Sequence, residues 1–559
     1  MKQIQRVLFV CKSRIRPVNV VRSPSIQTIR SSSSQPSAHQ WRSRLGFGLA
    51  GAVIGVVGTA LALSRGSLAG SKLSNGSEVV EDNPQLHLPS KYADNQTMQT
   101  ALREIQEALG EGTVSIDEDD LETHGYSEWS TSNTTARPMA VITPRSTDDV
   151  STIAKICNRY RVPLIAYGAG SSVEGHISAP FSGFSIDMSG MNDILVFHED
   201  DMDVVVQPGV NWVDLNEKLK PSGLFLPLDP SPTAHIGGMV ATNCSGTNAM
   251  RYGTMKDWVL NLTVVLADGT IIKTRRRPRK TSAGYNLTAL FTGSEGTLGI
   301  ITEITLKLAV IPPASAVATV SFPTVRDAAA AASKMMRQGL SLGALELMDD
   351  EQMRIVNQAG GTGKKSWKEL PTLFLKFSGT KDVISDSISS VRAIARNFKG
   401  EGLEVVTTEQ EMQDLWSARK LALWSMLAVR PEGTQMWGTD VAVPLSRMAE
   451  IIESSKQNSS KLGLFSSVLG HVGDGNFHQT VMYNPNEPEQ VEAVKECVDE
   501  MILEALEMEG TVSGEHGIGL GKKHCLMKEL GPVTVGVMKA LKTTLDPHWI
   551  LNPGKVFDE

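Results

Sequence analysis

The chain has 559 residues, enough at about 150 per domain for three or four domain-sized units, and its 41% hydrophobic and 21% charged residues exclude a disordered or fibrous protein. Residues 1–77 hold 11 Lys and Arg and no acid, which leaves 43 basic against 61 acidic residues and a charge of −18 on residues 78–559. That acidic body lacks the basic footprint of general nucleic-acid binding and suits a basic protein partner, while five scattered cysteines without a CxxC pair speak against a disulfide scaffold or a cysteine zinc module.

Residues 1–44 are Arg-rich, Ser-rich and free of acids, the pattern of a mitochondrial presequence. LGFGLAGAVIGVVGTALAL, residues 45–63, carries no charge, and as a helix it would cover about 28 Å, close to the hydrocarbon thickness of a bilayer. We read it as a single transmembrane helix. The basic residues before it place the N-terminus in the matrix and the body on the other side. Residues 64–95, with Ser, Gly, Asn and Pro, read as a linker.

Between residues 96 and 312, an apolar run at Ala140–Thr143 precedes Thr147, an N-cap expected to be followed by first-turn acids Asp148 and Asp149. Val150, Ile153, Ala154 and Ile156 give that helix a buried face. The chain returns through Pro163–Tyr167 into GAGSSVEG, residues 168–175. Its glycines permit consecutive amides to converge on an anion such as pyrophosphate. The loop is neither a Walker A loop nor a GxGxxG turn, and alone it is only a Gly-rich turn.

Pro312 and Pro313 mark a boundary. Beyond them, apolar runs at Val317–Phe322, Thr372–Phe377 and Val441–Pro444 alternate with helical stretches at 325–339, 382–397 and 446–461, which predicts an α+β domain with an antiparallel sheet over 313–530. HVGDGNFH, residues 471–478, holds Gly473 and Gly475, so a tight loop rather than a helix brings His471 and His478 together. With Glu515 of SGEHGIG (513–519) they make an open three-ligand metal site. As a bare pattern, paired histidines are more commonly surface residues.

The loop at 168–175 is followed by DMSGMNDIL (187–195), VQPGVNWVDLNEKL (206–219), LPLDPSPTAHIGGMVATNCSGTNAMRYGTMKDWVLNLTVVLADG (226–269) and GYNLTALFTGSEGTLGIITEITLKL (284–308). In this order they resemble the FAD-linked oxidases of the vanillyl-alcohol oxidase class, and with the two histidine motifs its D-2-hydroxyacid dehydrogenase group. The resemblance covers roughly residues 136–559. It implies a two-subdomain FAD-binding domain over 96–312, a cap domain over 313–530 and a C-terminal segment, 531–559, that returns to the flavin. It implies non-covalent FAD, with Ala169, Gly170, Ser171 and Ser172 at the pyrophosphate. Pro232, Gly237, Gly238, Thr242, Asn243, Ser245 and Gly246 would run along the flavin, Glu295, Gly296, Gly299 and Ile300 would close over the adenine side, and Asn552 would neighbour the ring. His471, His478 and Glu515 would hold a divalent metal, zinc or manganese, beside His516 as catalytic base. Arg419 would take the substrate carboxylate, because a guanidinium forks onto a carboxylate with two parallel bonds.

Within the group, enzymes acting on 2-hydroxyglutarate carry a lysine shortly before the Asp of the strand ending in Pro. Here GTQMWGTDVAVP (433–444) has Gly438 in that place. An unpaired distal carboxylate would be costly, so the departure favours D-lactate, with 2-hydroxyglutarate or another D-2-hydroxy acid as the alternative. A non-redox FAD enzyme such as alkylglycerone-phosphate synthase, or a non-catalytic tethered flavoprotein, are further alternatives. The expected electron acceptor is cytochrome c, a basic protein, met by a body anchored in the inner membrane and facing the intermembrane space.

Overall fold

The computed structural model describes residues 91–360 and 365–559. Residues 1–44, 45–63 and 64–90, read above as presequence, transmembrane helix and most of the linker, lie outside the described residues. Among those described, no helix is long and apolar enough to cross a membrane.

Two sheets build the first half. The smaller has the spatial order Val114–Ser115, Ala140–Ile142, Phe184–Asp187, Leu164–Tyr167, and its last three strands are parallel. Parallel neighbours need a crossover, and helix Thr147–Tyr160 supplies one, burying Val150, Ile153, Ala154, Ile156 and Cys157. The cap lies one residue earlier than the sequence suggests. Ser146 is the extended residue, its hydroxyl accepts from the Asp149 amide at 3.1 Å, and Thr147 is already helical. The reason is reach: a cap oxygen must meet an amide two or three residues on. The strand Leu164–Tyr167 ends in the loop 168–175, on the carboxyl edge where ligands of parallel sheets collect. The second sheet is antiparallel, in the order Ile194–His198, Asp203–Val206, Ile300–Lys307, Val259–Val265, Ile271–Lys273.

After Pro313 comes an eight-stranded antiparallel sheet. Its order is Glu401–Val406, Ala314–Ser321, Thr372–Gly379, Leu342–Met348, Phe465–His471, Asn476–Tyr483, Gln435–Gly438, with Val441–Ala442 also paired to Asn476–Tyr483. Helices Val325–Arg337, Lys381–Asn397 and Met448–Lys461 share one core with it, in which Ala328, Val391 and Ile451 meet Leu345, Leu375 and Phe377. Each large apolar side chain fully buried there stabilises by about 1.5–3 kcal/mol. The helical segment Lys523–Leu545 breaks at Gly531, where φ is 71°, just before Pro532. The chain then returns to the first sheet: the Leu164 amide donates to the Ile550 carbonyl at 2.8 Å and the Asn552 amide to the Leu164 carbonyl at 2.7 Å.

Candidate active site

A cleft opens between loop 168–173 and residues 230–244, closed by Glu295, Gly296, Glu515, His516 and Asn552. Ala169, Gly170, Ser171, Ser172, Gly238, Thr242, Glu295, Gly296 and Asn552 line it as expected for cofactor residues. Gly170 has φ of 64°, and a Cβ there would collide with the Tyr167 hydroxyl. A Cβ on Gly238 would meet nothing within 4 Å, so helix Ile236–Thr242 turns a bare backbone face to the cleft. The Nδ1 atoms of His176 and His235, both at the cleft wall, are buried without a hydrogen-bond partner among the described residues. Orphaned buried nitrogens mark where a ligand's polar atoms belong. Serine hydroxyls and glycine amides at one end, with Ile177, Met239 and Ala241 along the wall, fit the phosphates and flat ring of FAD.

The other expected cofactor residues stand behind this lining. Pro232 offers its carbonyl to Asn211 Nδ2 at 2.9 Å. A Cβ on Gly237 would touch Pro208, and one on Gly299 would collide with Val264, so both glycines serve close packing. Asn243 ends its helix at φ of 52°, and its Oδ1 accepts from the Lys256 amide at 2.9 Å. Ile300 is buried opposite Val265 in the second sheet. Ser245 and Gly246 turn the other way: the Ser245 hydroxyl and the Gly246 amide donate to Glu515 Oε2 at 2.7 and 2.9 Å.

The two motif histidines sit on a β-hairpin. His471 closes strand Phe465–His471 opposite Asn476, and His478 pairs with Leu469, which sets the two rings diagonally on one face. Their centroids are 5.4 Å apart with the rings perpendicular. Nδ1 of His478 lies 3.0 Å from the Thr439 carbonyl and Nδ1 of His471 lies 2.9 Å from Glu346, so both rings are oriented from behind. Their Nε2 atoms come within 3.4 and 3.2 Å of Glu515 Oε1. Ligand atoms bonded to one tetrahedral cation at about 2.0–2.2 Å stand about 3.3–3.6 Å apart, so the set fits a divalent metal. A second group, Asp440, His478 and His516, is also close enough, but Asp440 is already spent on the loop it holds.

Charge compensation is tight here. Burial opposes ionisation of Glu515, yet His471 and His478 hold its carboxyl well below the usual range. Burial likewise opposes a charge on His471, but Glu346 and Glu515 on either side raise its pKa well above the ordinary value. His516 stacks on His478 with centroids 5.0 Å apart, its Nδ1 lying 3.8 Å from Glu174 and 4.0 Å from Asp440. Burial would lower its pKa, but the Asp440 and Glu174 carboxylates outweigh this and raise it. Arg419 is not among the residues lining the cleft: its Nε donates to Glu346 Oε2 at 2.8 Å, its Nη2 lies 2.7 Å from the same oxygen in an ion pair, and Glu346 in turn faces His471.

Asp440, Glu346, Glu174 and Lys522 complete the site without having been expected there. Asp440 is fully buried, accepts from Ser513 Oγ, Asn476 Nδ2 and the amides of Glu515 and His516, and is held well below the usual carboxylate range. Its burial opposes that shift, and His516, Lys522 and His478 override it. The available signal was a lone acid in an apolar run, as in LGALELM for Glu346 and TDVAVP for Asp440, because a charge is buried in a strand only when something pairs with it. Gly438 lines a separate cavity of about 240 Å³ on the far side of Asp440. A Cβ at Gly438 would meet nothing within 4 Å, and the Lys522 ammonium in the same cavity is tied to Glu174 at 3.1 Å.

The family models agree with this division of labour. Residues 138–275 match the "FAD binding domain" and residues 311–556 match "FAD linked oxidases, C-terminal domain". The mitochondrial D-lactate dehydrogenase [cytochrome] of Kluyveromyces lactis is 45% identical, over 84% of this chain and 82% of that protein. The corresponding protein of Arabidopsis thaliana is 46% identical, over 80% of this chain and 78% of its own length. A solved structure of p-cresol methylhydroxylase with substrate bound superposes with a TM-score of 0.71 at 18% identity, over 83% of this chain and 98% of that one, which speaks to the fold alone. At these identities and coverages, the chain belongs to the family of FAD-linked oxidases that includes the mitochondrial D-lactate dehydrogenases [cytochrome].

Proposed function

We propose that the protein oxidises D-lactate to pyruvate at FAD and passes the electrons to cytochrome c. The observation that carries this reading is the convergence of His471, His478 and Glu515 on one point, with His516 stacked beside them at the wall of the flavin cleft. When bound, FAD supplies the hydride acceptor and a divalent cation supplies a positive charge for the substrate's oxygens. The chain's own residues do the rest. Glu515 is fixed by Ser245 and Gly246, so the ligand set is built onto the flavin half of the molecule. His516, its Nδ1 3.8 Å from Glu174 and 4.0 Å from Asp440, is our candidate for the group that takes the hydroxyl proton. Arg419, steadied by Glu346, is our candidate for the substrate carboxylate. We take residues 96–312 as the flavin domain, 313–530 as the cap and 531–559 as the returning segment. The named location of the relatives supports a mitochondrial site. Residues 1–44 as the address and 45–63 as an inner-membrane anchor, with the body in the intermembrane space, are our reading of the sequence.

The test is spectroscopic. The purified protein should be yellow, and D-lactate added without oxygen should bleach it. Oxidised cytochrome c should restore the colour, at a second-order rate that falls as salt rises, because the body carries −18 and its partner is basic. Protein that is folded and colourless, or bleached flavin that only oxygen reoxidises, overturns the assignment.

A preference for the short acid rests on the sequence pattern around Gly438, since Gly438 lines the separate cavity that holds Lys522 and not the flavin cleft. With no cation at that position, kcat/KM for D-lactate should exceed that for D-2-hydroxyglutarate by about 10² or more, the scale of leaving a charged group without its partner. Competition assays with the two acids would measure it. A preference for the dicarboxylate removes the argument.

A further inference from the structure

The loop that carries Glu515 and His516 is held almost amide by amide. Glu515 and His516 donate to Asp440 Oδ2 at 3.0 and 2.8 Å. Ile518 and Gly519 donate to the two oxygens of Glu295, each at 2.7 Å, and Leu520 donates to the Glu174 carbonyl at 2.7 Å. Asp440 comes from the cap side of the chain, whereas Glu295 and Glu174 come from the flavin side.

Glu295 is the unusual member. Its φ is 53°, in the left-handed region where a residue with a Cβ costs about 1–2 kcal/mol and glycine sits freely. Its neighbour Gly296 also has positive φ, so the turn itself could be built from glycine. What glycine would lose is the buried carboxylate. That carboxylate lies 2.9 Å from His176 Nε2, and burial, which would favour protonation, is overcome by His176 and the two loop amides, so it stays ionised. A Cβ on Gly517 would come within 2.8 Å of Glu295 Oε1 and 3.0 Å of His176 Nε2, so the loop backbone runs flush against the pair. Both oxygens are engaged by the loop. Although Glu295 lines the flavin cleft, both of its carboxylate oxygens accept from the loop that carries Glu515 and His516.

We propose that Glu295, backed by His176, is a positioning residue that sets the loop 513–519 so that Glu515 and His516 face the flavin cleft. This rests on the function proposed above. It makes the strained turn part of the catalytic apparatus: the backbone cost at Glu295 is borne because the carboxylate must project towards the loop. The catalytic loop is thus clamped by Asp440 at its start and by Glu295 at its end.

The test uses the holoenzyme. Glu295→Gln keeps one accepting oxygen and replaces the other by a donor, which faces an amide that also donates. We expect kcat for D-lactate to fall about 10²-fold, the scale of a misplaced catalytic group, with flavin absorbance per protein unchanged. Hydrogen exchange of the peptide spanning 515–521 should accelerate about tenfold or more, with that of 168–173 unaltered. Glu295→Asp, which keeps the charge but withdraws both oxygens from the Ile518 and Gly519 amides, should give the same signature, and it carries the test should Glu295→Gln fail to fold. Unchanged exchange at 515–521 overturns the proposal. So does loss of FAD as the main defect, which would make Glu295 a cofactor contact, or acceleration spread over the whole chain, which would make it a general stability residue. Exchange reads the loop without turnover. Failure of the D-lactate assignment would therefore show as lost activity in the parent protein, with the exchange result still standing.

Discussion

Replacing His516 by alanine is expected to lower kcat for D-lactate by about 10² or more while flavin and cation stay bound, because a general base contributes about 10²–10⁴. The geometry separates this role from ligation. His516 presents Nδ1 to Glu174 and Asp440 and stacks flat on His478, whereas the three converging atoms belong to His471, His478 and Glu515. Elemental analysis of the variant reads the distinction directly. Loss of the cation together with activity would make His516 a ligand and hand the role of base to another group.

Removing the cation should be more damaging still. Exhaustive chelation, or His471→Ala, should abolish D-lactate turnover while the flavin spectrum persists, since no residue of the ligand set except Glu515 lines the flavin cleft. Full activity in a preparation shown to be metal-free would remove the cation from the mechanism. The affinity should also depend on pH with a definite sign. His471, between Glu346 and Glu515, has a raised pKa, and a ligating nitrogen must be free of its proton, so cation binding should tighten as pH rises through that range. A titration of cation affinity against pH, read by the metal content after dialysis, checks it.

Much of this site is legible in the linear sequence because its parts are local. The hairpin of His471 and His478 is written in the glycines of HVGDGNFH, and one wall of the cleft in GAGSSVEG. The buried faces of helices such as Thr147–Tyr160 follow from spacing alone. What escapes is whatever depends on two distant segments meeting. Asp440 and Glu515 are 75 residues apart and Glu295 and Ile518 are 223 apart, and nothing in either stretch names the other. The same limit explains why Gly237, Gly299 and Ile300 read as cofactor residues: glycine near a ligand and glycine under a packed side chain look alike until the neighbour is known. Arg419 shows the converse case, a guanidinium whose first partner is a carboxylate of the protein, Glu346, 73 residues away in the sequence.

The clamp on the catalytic loop also bears on how such a protein tolerates recombination. In the proposed mechanism the groups at the flavin come mostly from before Pro312 and the candidate base and ligand set from after it, so a genetic crossover at that point would exchange two proposed chemical roles. The junction would be easy to sew covalently, since the two prolines already form a break between sheets. The seam that matters lies elsewhere, in contacts such as Ser245 and Gly246 on Glu515, Glu295 on Ile518 and Gly519, Glu174 on Leu520 and Lys522, Arg251 on Ser341 and Ser378, and Asp229 beside Lys376. Some of these contacts use a main-chain group, which every sequence supplies, but Glu174 with Lys522, Asp229 with Lys376 and Ser245 with Glu515 need both side chains. Halves inherited from diverged parents would therefore dock where these paired side chains are kept, which leaves the rest of the cap free to change while the flavin half stays as it is.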